Sequence, residues 1–139
     1  MKKGPGVIWI KMAVVYFLIG VGWGMYMSAS GDFTLAPVHA HINLLGWVSL
    51  TLIGLIYRQF PELANTTLAR IQFWLHNLGL PFLMLALVGL LRGNTALGPM
   101  VGIGAAIVGL SVVLFAVNIF RVPRNDGANA RIRSAAGAS

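Results

Sequence analysis

An all-α, integral membrane four-helix bundle is the fold class that three observations predict. Of 139 residues, 58% are hydrophobic and only 9% are charged, and the mean hydropathy is +0.81. A water-soluble domain of this composition would have too few polar side chains to cover its surface. The apolar residues fall into four stretches of the length that a hydrocarbon core of roughly 30 Å requires, about 20 residues each. The charges gather between those stretches and at the chain ends.

The first span is expected at residues 7–27, behind Lys2 and Lys3. Two lysines before an apolar run that ends in Ser28, Ala29 and Ser30 also resemble a signal peptide, but the run is long for a signal core and is read as a helix. A short polar link with Asp32 and Pro37 leads to a second span at 38–57. The third is expected at 71–91, bracketed by Arg70 and Arg92, with Pro81 inside it to kink the helix or free a carbonyl. The fourth is expected at 97–120. Residues 1–121 thus form one domain, and 122–139 read as a basic, disordered tail. Glycines at 20, 22 and 24 and at 102, 104 and 109 suit close approach of helix backbones in lipid.

The net charge of +7 does not imply a nucleic-acid partner, because the basic residues stand singly or in pairs at helix ends and in the tail, where topology signals belong. Lys2 and Lys3, Arg58 and Arg70, and Arg121 to Arg133 all fall on one side, so both termini are expected in the cytoplasm. Lys11, near that side, can snorkel to the headgroups. There are no cysteines, so any metal or cofactor must be held by histidine, methionine or oxygen ligands. The three acidic residues, Asp32, Glu62 and Asp126, are too scattered for paired-carboxylate chemistry, and no serine or threonine has a placed base. Six methionines raise copper, but only Met25 and Met27 are close in sequence.

All three histidines, His39, His41 and His76, fall within expected spans, where ionisable side chains are costly and are functional candidates by default. Two positions apart on an α-helix point about 200° from one another. His39 and His41 therefore cannot chelate one ion together; they can serve two sites on opposite sides of a helix. His39 shares its face with Asn43, Gly46 and Gly54, where glycine would leave room for a bulky planar group; His41 shares its face with Leu45, Val48 and Leu52. Hydrogen bonding at the membrane boundary is the other reading of His39. His76 lies about six residues into the third span, roughly 9 Å from its boundary. At that depth it is expected to hydrogen-bond rather than to share one metal ion with His41.

The stretch Val38-His39-Ala40-His41-Ile42-Asn43-Leu44-Leu45-Gly46-Trp47, continuing through Gly54, Tyr57 and Pro61, resembles the tenth helix of the catalytic subunit of haem–copper oxidases. The likeness is to the C-type (cbb-type) oxidases and the related NnrS membrane haem proteins. Phe73-Trp74 resembles the start of the next helix, so the likeness covers about residues 35–90. In that family the His-x-His pair carries two haems on opposite sides of one helix, and twelve helices form three pseudo-equivalent groups of four. The resemblance implies that this chain is one third of such a core, and that three copies assemble as a homotrimer in the bacterial inner membrane. A haem b would be held by His39 of one protomer and His41 of the next, with Asn43 and His76 in a second tier. The implied function is electron transfer or binding of a diatomic gas (O2 or NO), with respiratory-chain redox partners. The adjacent His-His pair of the family's copper site is missing, so oxygen or nitric oxide reduction is not implied and copper is a weaker expectation than haem. The alternative function is non-redox: a transporter, or an assembly or haem-handling factor for respiratory complexes.

Overall fold

A computed structural model describes residues 4–121. It is helical throughout, and four helical stretches, Val7–Ser30, Ala36–Gln59, Thr67–Leu91 and Thr95–Ile119, are long and apolar enough to cross a membrane. This is the build of a multi-pass membrane protein. The basic tail expected at 122–139 lies outside the described residues.

Helix α1 (Val7–Ser30) is bounded by two glycines in the left-handed region, Gly6 (φ 82°) and Gly31 (φ 67°), a conformation that costs any residue with a Cβ. It outlasts the expected end at residue 27 by one turn. The link that follows is ordered by Asp32, whose Oδ1 accepts the Thr34 backbone N–H at 2.9 Å. The second span starts two residues earlier than expected, because Pro37 supplies a preset first helical turn. It has three parts: α2 (Ala36–His41), a π-helical segment (Ile42–Val48) and α3 (Ser49–Gln59). A short α4 (Pro61–Ala64) turns the chain. Helix α5 (Thr67–Leu91) begins four residues before the expected 71, since the Thr66 side chain caps it by accepting the Ala69 N–H at 3.1 Å. It runs unbroken through Pro81 to Leu91, and Gly93 (φ 100°) turns the chain just beyond it. A 3-10 turn (Thr95–Leu97) leads into α6 (Gly98–Ile119).

The spans form two closely packed pairs, α1 with the second span and α5 with α6. Small residues make both seams. In the first, Gly46 lies under the Tyr16 ring and Gly54 against Trp9 and Ile10; in the second, Gly104 meets Leu83 and Gly79 meets Ile107 and Val108. Gly22, Gly102 and Gly109 face outward, where an added Cβ would meet nothing within 4 Å.

Aromatic and polar contacts join the two pairs. Trp9 of α1 meets Phe73 of α5 edge-on (4.9 Å between ring centres, 88°) and Tyr57 of α3 (5.5 Å), while Tyr57 meets Phe115 of α6 (5.8 Å). One residue from each span thus enters one cluster, and such pairs contribute about 0.5–1.5 kcal/mol each beyond area burial. Beside it the Tyr57 hydroxyl donates to Gln72 Oε1 at 2.5 Å and accepts from Asn118 Nδ2 at 3.2 Å. Thr66 donates to Asn118 Oδ1 at 3.1 Å. Lipid tails offer no hydrophobic drive between helices, so such hydrogen bonds and close packing carry the association.

Candidate functional site

The wide turn of the second span begins immediately after the histidine pair. Within Ile42–Val48 the backbone bonds skip one extra residue: the Ser49 N–H donates to the Leu44 carbonyl, and the Ser49 hydroxyl reaches the same oxygen at 2.8 Å. Such segments are rare and often mark functional sites, because they re-aim side chains and carbonyls that a regular helix would commit. His39 and His41 lie just before it and Asn43 is its second residue.

His39 is half-buried against α1, and its Nδ1 lies 3.0 Å from the Gly20 carbonyl oxygen. A carbonyl only accepts, so Nδ1 carries the proton and Nε2 keeps the lone pair. The ring rests on Gly24, where a Cβ would approach Cε1 to 2.9 Å, and Asn43 rests on Gly20, where a Cβ would lie 2.6 Å from Oδ1. With any larger residue at either position the Asn43 amide or the His39 ring would have to shift. Asn43 donates through Nδ2 to the His39 carbonyl at 2.9 Å and passes the ring at 3.4 Å from Nδ1 and 3.5 Å from Nε2. It fixes the backbone under the ring and grazes the free nitrogen without engaging it well.

His41 is exposed on the other side of the helix. Its Nδ1 lies 2.7 Å from the Pro37 carbonyl one turn earlier, which again places the proton on Nδ1 and the lone pair on Nε2. The two histidines thus share one chemical state by different means: each holds its proton against a backbone carbonyl and presents Nε2. Metal-bound histidines are held in this way, the second nitrogen fixing tautomer and ring plane.

His76 is different. It is fully buried (0% exposed) at the junction of the two helix pairs, with Nε2 donating to the Leu45 carbonyl at 3.0 Å and Nδ1 2.9 Å from Ser111 Oγ. Neutral His76 accepts at Nδ1, so the single Ser111 hydroxyl proton chooses between it and the Val108 carbonyl at 2.7 Å. Both ring nitrogens are engaged, and the ring braces α5 and α6 against the π-helical segment. With α5 starting at Thr67, His76 is the tenth residue of its helix rather than about the sixth, and it touches Leu45, one turn beyond His41.

The faces expected from 100° spacing are present, with a different use for the glycines. His39, Asn43, Gly46 and Gly54 all contact α1, but the space at Gly46 is taken by the protein's own Tyr16 ring and that at Gly54 by Ile10, the Gly6 carbonyl and the Trp9 Cβ. On the other face His41, Val48 and Leu52 are exposed, whereas Leu45 is half-buried and packs against the core.

Several polar residues that sequence reasoning passed over are buried. Gln72, Ser111 and Asn118 are fully buried, and the Gln72 Nε2 and Trp23 Nε1 atoms have no hydrogen-bond partner among the described residues. Trp23 precedes the glycine under His39. Their signal was available: each is a polar group inside an apolar span, where it is costly unless paired. At the same end of the bundle, Asp32 is held below the ordinary carboxylate range by its hydrogen bonds with the Thr34 side chain and backbone, with a smaller contribution from the Arg92 guanidinium.

No three His, Cys, Asp or Glu side chains come together to hold a metal ion among the described residues. A porphyrin iron asks less, since the macrocycle fills four positions and the protein supplies one ligand per face. Two histidines with fixed tautomers and free Nε2 atoms fit that demand in chemistry, but they point away from each other within one chain. The chain matches no protein-family model, no curated protein and no solved structure.

Proposed function

We propose that the protein binds haem b in the membrane and transfers electrons, with the iron held between His39 Nε2 of one protomer and His41 Nε2 of the next in a homotrimer. One observation carries the reading: each histidine has its Nδ1 proton against a backbone carbonyl, Gly20 for His39 and Pro37 for His41, which leaves Nε2 as the ligand atom on two opposite sides of one helix. A single chain cannot bring these atoms to one iron, whereas a ring of identical chains can, because each interface then contributes one of each kind. The exposed position of His41 suits a ligand offered to a neighbour; the half-buried His39, seated on Gly24, suits the fixed partner.

When bound, a bis-imidazole haem supplies a reversible one-electron couple. The chain's own residues orient and insulate it. The two carbonyls fix the imidazole planes, Asn43 steadies the helix between them, and His76 ties the π-helical segment to α5 and α6. The histidine pair stands at the end of the bundle that holds the link between α1 and α2. That end faces the outside if the lysines and arginines near residues 2–11, 58–70 and 121 mark the cytoplasmic side.

Optical spectra of the purified protein in oxidised, reduced and carbon-monoxide-treated states test the proposal. A sharp reduced α-band, about one haem per chain and no response to carbon monoxide are expected for a low-spin iron with both faces occupied. A His41→Ala variant that keeps full haem with an unchanged spectrum overturns it. A carbon-monoxide response would move the function to gas binding at an open face.

A further inference from the structure

The end of the bundle opposite the histidines carries a feature that haem binding does not use. Along α5, Ile71, Trp74, Leu75, Leu78 and Phe82 line a groove of about 590 Å³ closed on its far side by Ile107 of α6. Its walls are apolar, no acidic side chain lines it, and Arg70 stands at one end as its only charged residue. Phe82 follows Arg70 by twelve residues, so the groove is about 18 Å long. One leaflet of a hydrocarbon core is about 15 Å thick. Arg70 is the fourth residue of α5, so a leaflet spanned from Phe82 outward would meet its headgroups near Arg70.

Arg70 also lines a second, smaller cleft of about 230 Å³ with Asn65, Thr66, Trp9 and Phe73. Its polar lining is Asn65, whose Nδ2 also donates to the Pro61 carbonyl at 3.0 Å, and Thr66, whose hydroxyl is engaged with Leu63 and Asn118. The two depressions therefore meet at one guanidinium: an apolar channel of acyl-chain length on one side, a cation at the junction, and a polar cleft on the other. This order of tail, anion and hydroxylated head is the order of groups in an anionic phospholipid.

We infer that the α5–α6 groove binds an anionic phospholipid, with an acyl chain along Ile71 to Phe82, the phosphate at Arg70 and the headgroup in the Asn65–Thr66 cleft. The two sides divide the recognition. The groove is blind to lipid class, since every phospholipid has an acyl chain. Arg70 selects net negative charge, as a juxtamembrane cation does at an anionic surface. The inference stands on membrane insertion alone and is independent of haem.

Native mass spectrometry of the full chain released from detergent, with phosphatidylglycerol or phosphatidylcholine of equal chain length added, tests it. The wild type should retain phosphatidylglycerol about five-fold more strongly, and Arg70→Gln should abolish that preference. Leu78→Trp, which fills the groove from an exposed position, should lower retention of both lipids. Arg92→Gln, at the other end of the bundle, should leave the preference unchanged. Equal retention of the two lipids by wild type, a preference that survives Arg70→Gln, or one that is lost in Arg92→Gln overturns the inference. So does efficient chain-to-chain cross-linking through Leu78→Cys, because the groove would then be covered by a second copy.

Discussion

Replacing His76 with leucine separates a brace from a ligand. The side chain is fully buried and makes two bonds across span boundaries, to Ser111 Oγ at 2.9 Å and to the Leu45 carbonyl at 3.0 Å. Interhelical hydrogen bonds in membranes contribute about 0.6 kcal/mol on average and up to about 1.7 kcal/mol each. Two of them give about 1–3 kcal/mol. Ser111 keeps its bond to the Val108 carbonyl, so its loss is partial, whereas the Leu45 carbonyl loses its cross-span donor inside the bundle, which adds about 1 kcal/mol. Leucine fills much of the imidazole's volume and keeps the cavity term small. The expected loss is about 2–4 kcal/mol, one and a half to three decades in the unfolding equilibrium. Equilibrium unfolding of the detergent-solubilised protein in a denaturing surfactant measures it. Haem per folded chain should be unchanged. Loss of haem with unchanged stability would refute the reasoning, because it would make His76 a ligand.

Three further outcomes follow from the geometry. Gly24→Ala would place a Cβ 2.9 Å from His39 Cε1 and displace the ring, so haem titration should show weakened binding, while Gly22→Ala, which meets nothing within 4 Å, should titrate like wild type. Tyr57→Phe removes the hydroxyl that joins Gln72 to Asn118 and leaves the buried Gln72 amide without a partner, so unfolding should show a loss of about 1–3 kcal/mol. An equally stable variant would mean that water satisfies the amide. Asp32 is lowered by Thr34, so its carboxylate favours the folded link above the ordinary carboxylate range and the benefit fades as pH falls through the lowered value. Carboxyl NMR titration should show a higher midpoint in Thr34→Val; an unchanged midpoint would discount the side-chain bond.

The four spans were legible because composition and length alone decide what can cross a hydrocarbon core. Their ends were less so. Thr66 caps α5 and Pro37 starts α2 by local geometry that a count of apolar residues does not register. The opposite aim of His39 and His41 was readable, since a two-residue spacing turns side chains apart on any regular helix. The π-helical segment was not: Ile42–Val48 contains no residue that demands an extra residue per turn, and Tyr16 and His76 meet it from other spans. The same gap explains the glycines. Space beside Gly46 was predictable, but which ring fills it is a tertiary matter, and Tyr16 does so from thirty residues away. Gln72, Ser111 and Asn118 were passed over although each is a polar residue in an apolar span, and their partners lie far along the chain: Ser111 reaches His76, and Asn118 reaches Thr66 and Tyr57.

Ligation across the interface has a direct test in mixed subunits. His39→Ala and His41→Ala each remove one ligand from every interface, so either variant alone should lack the bis-histidine spectrum. Co-expressed, they restore an intact pair wherever a chain that keeps His39 meets a neighbour that keeps His41, about one interface in four for random closed rings. Purified mixed protein should therefore regain about a quarter of the low-spin haem per chain, measured by the reduced α-band. No recovery in verified mixed oligomers, or full haem in either variant alone, would contradict a site shared between protomers.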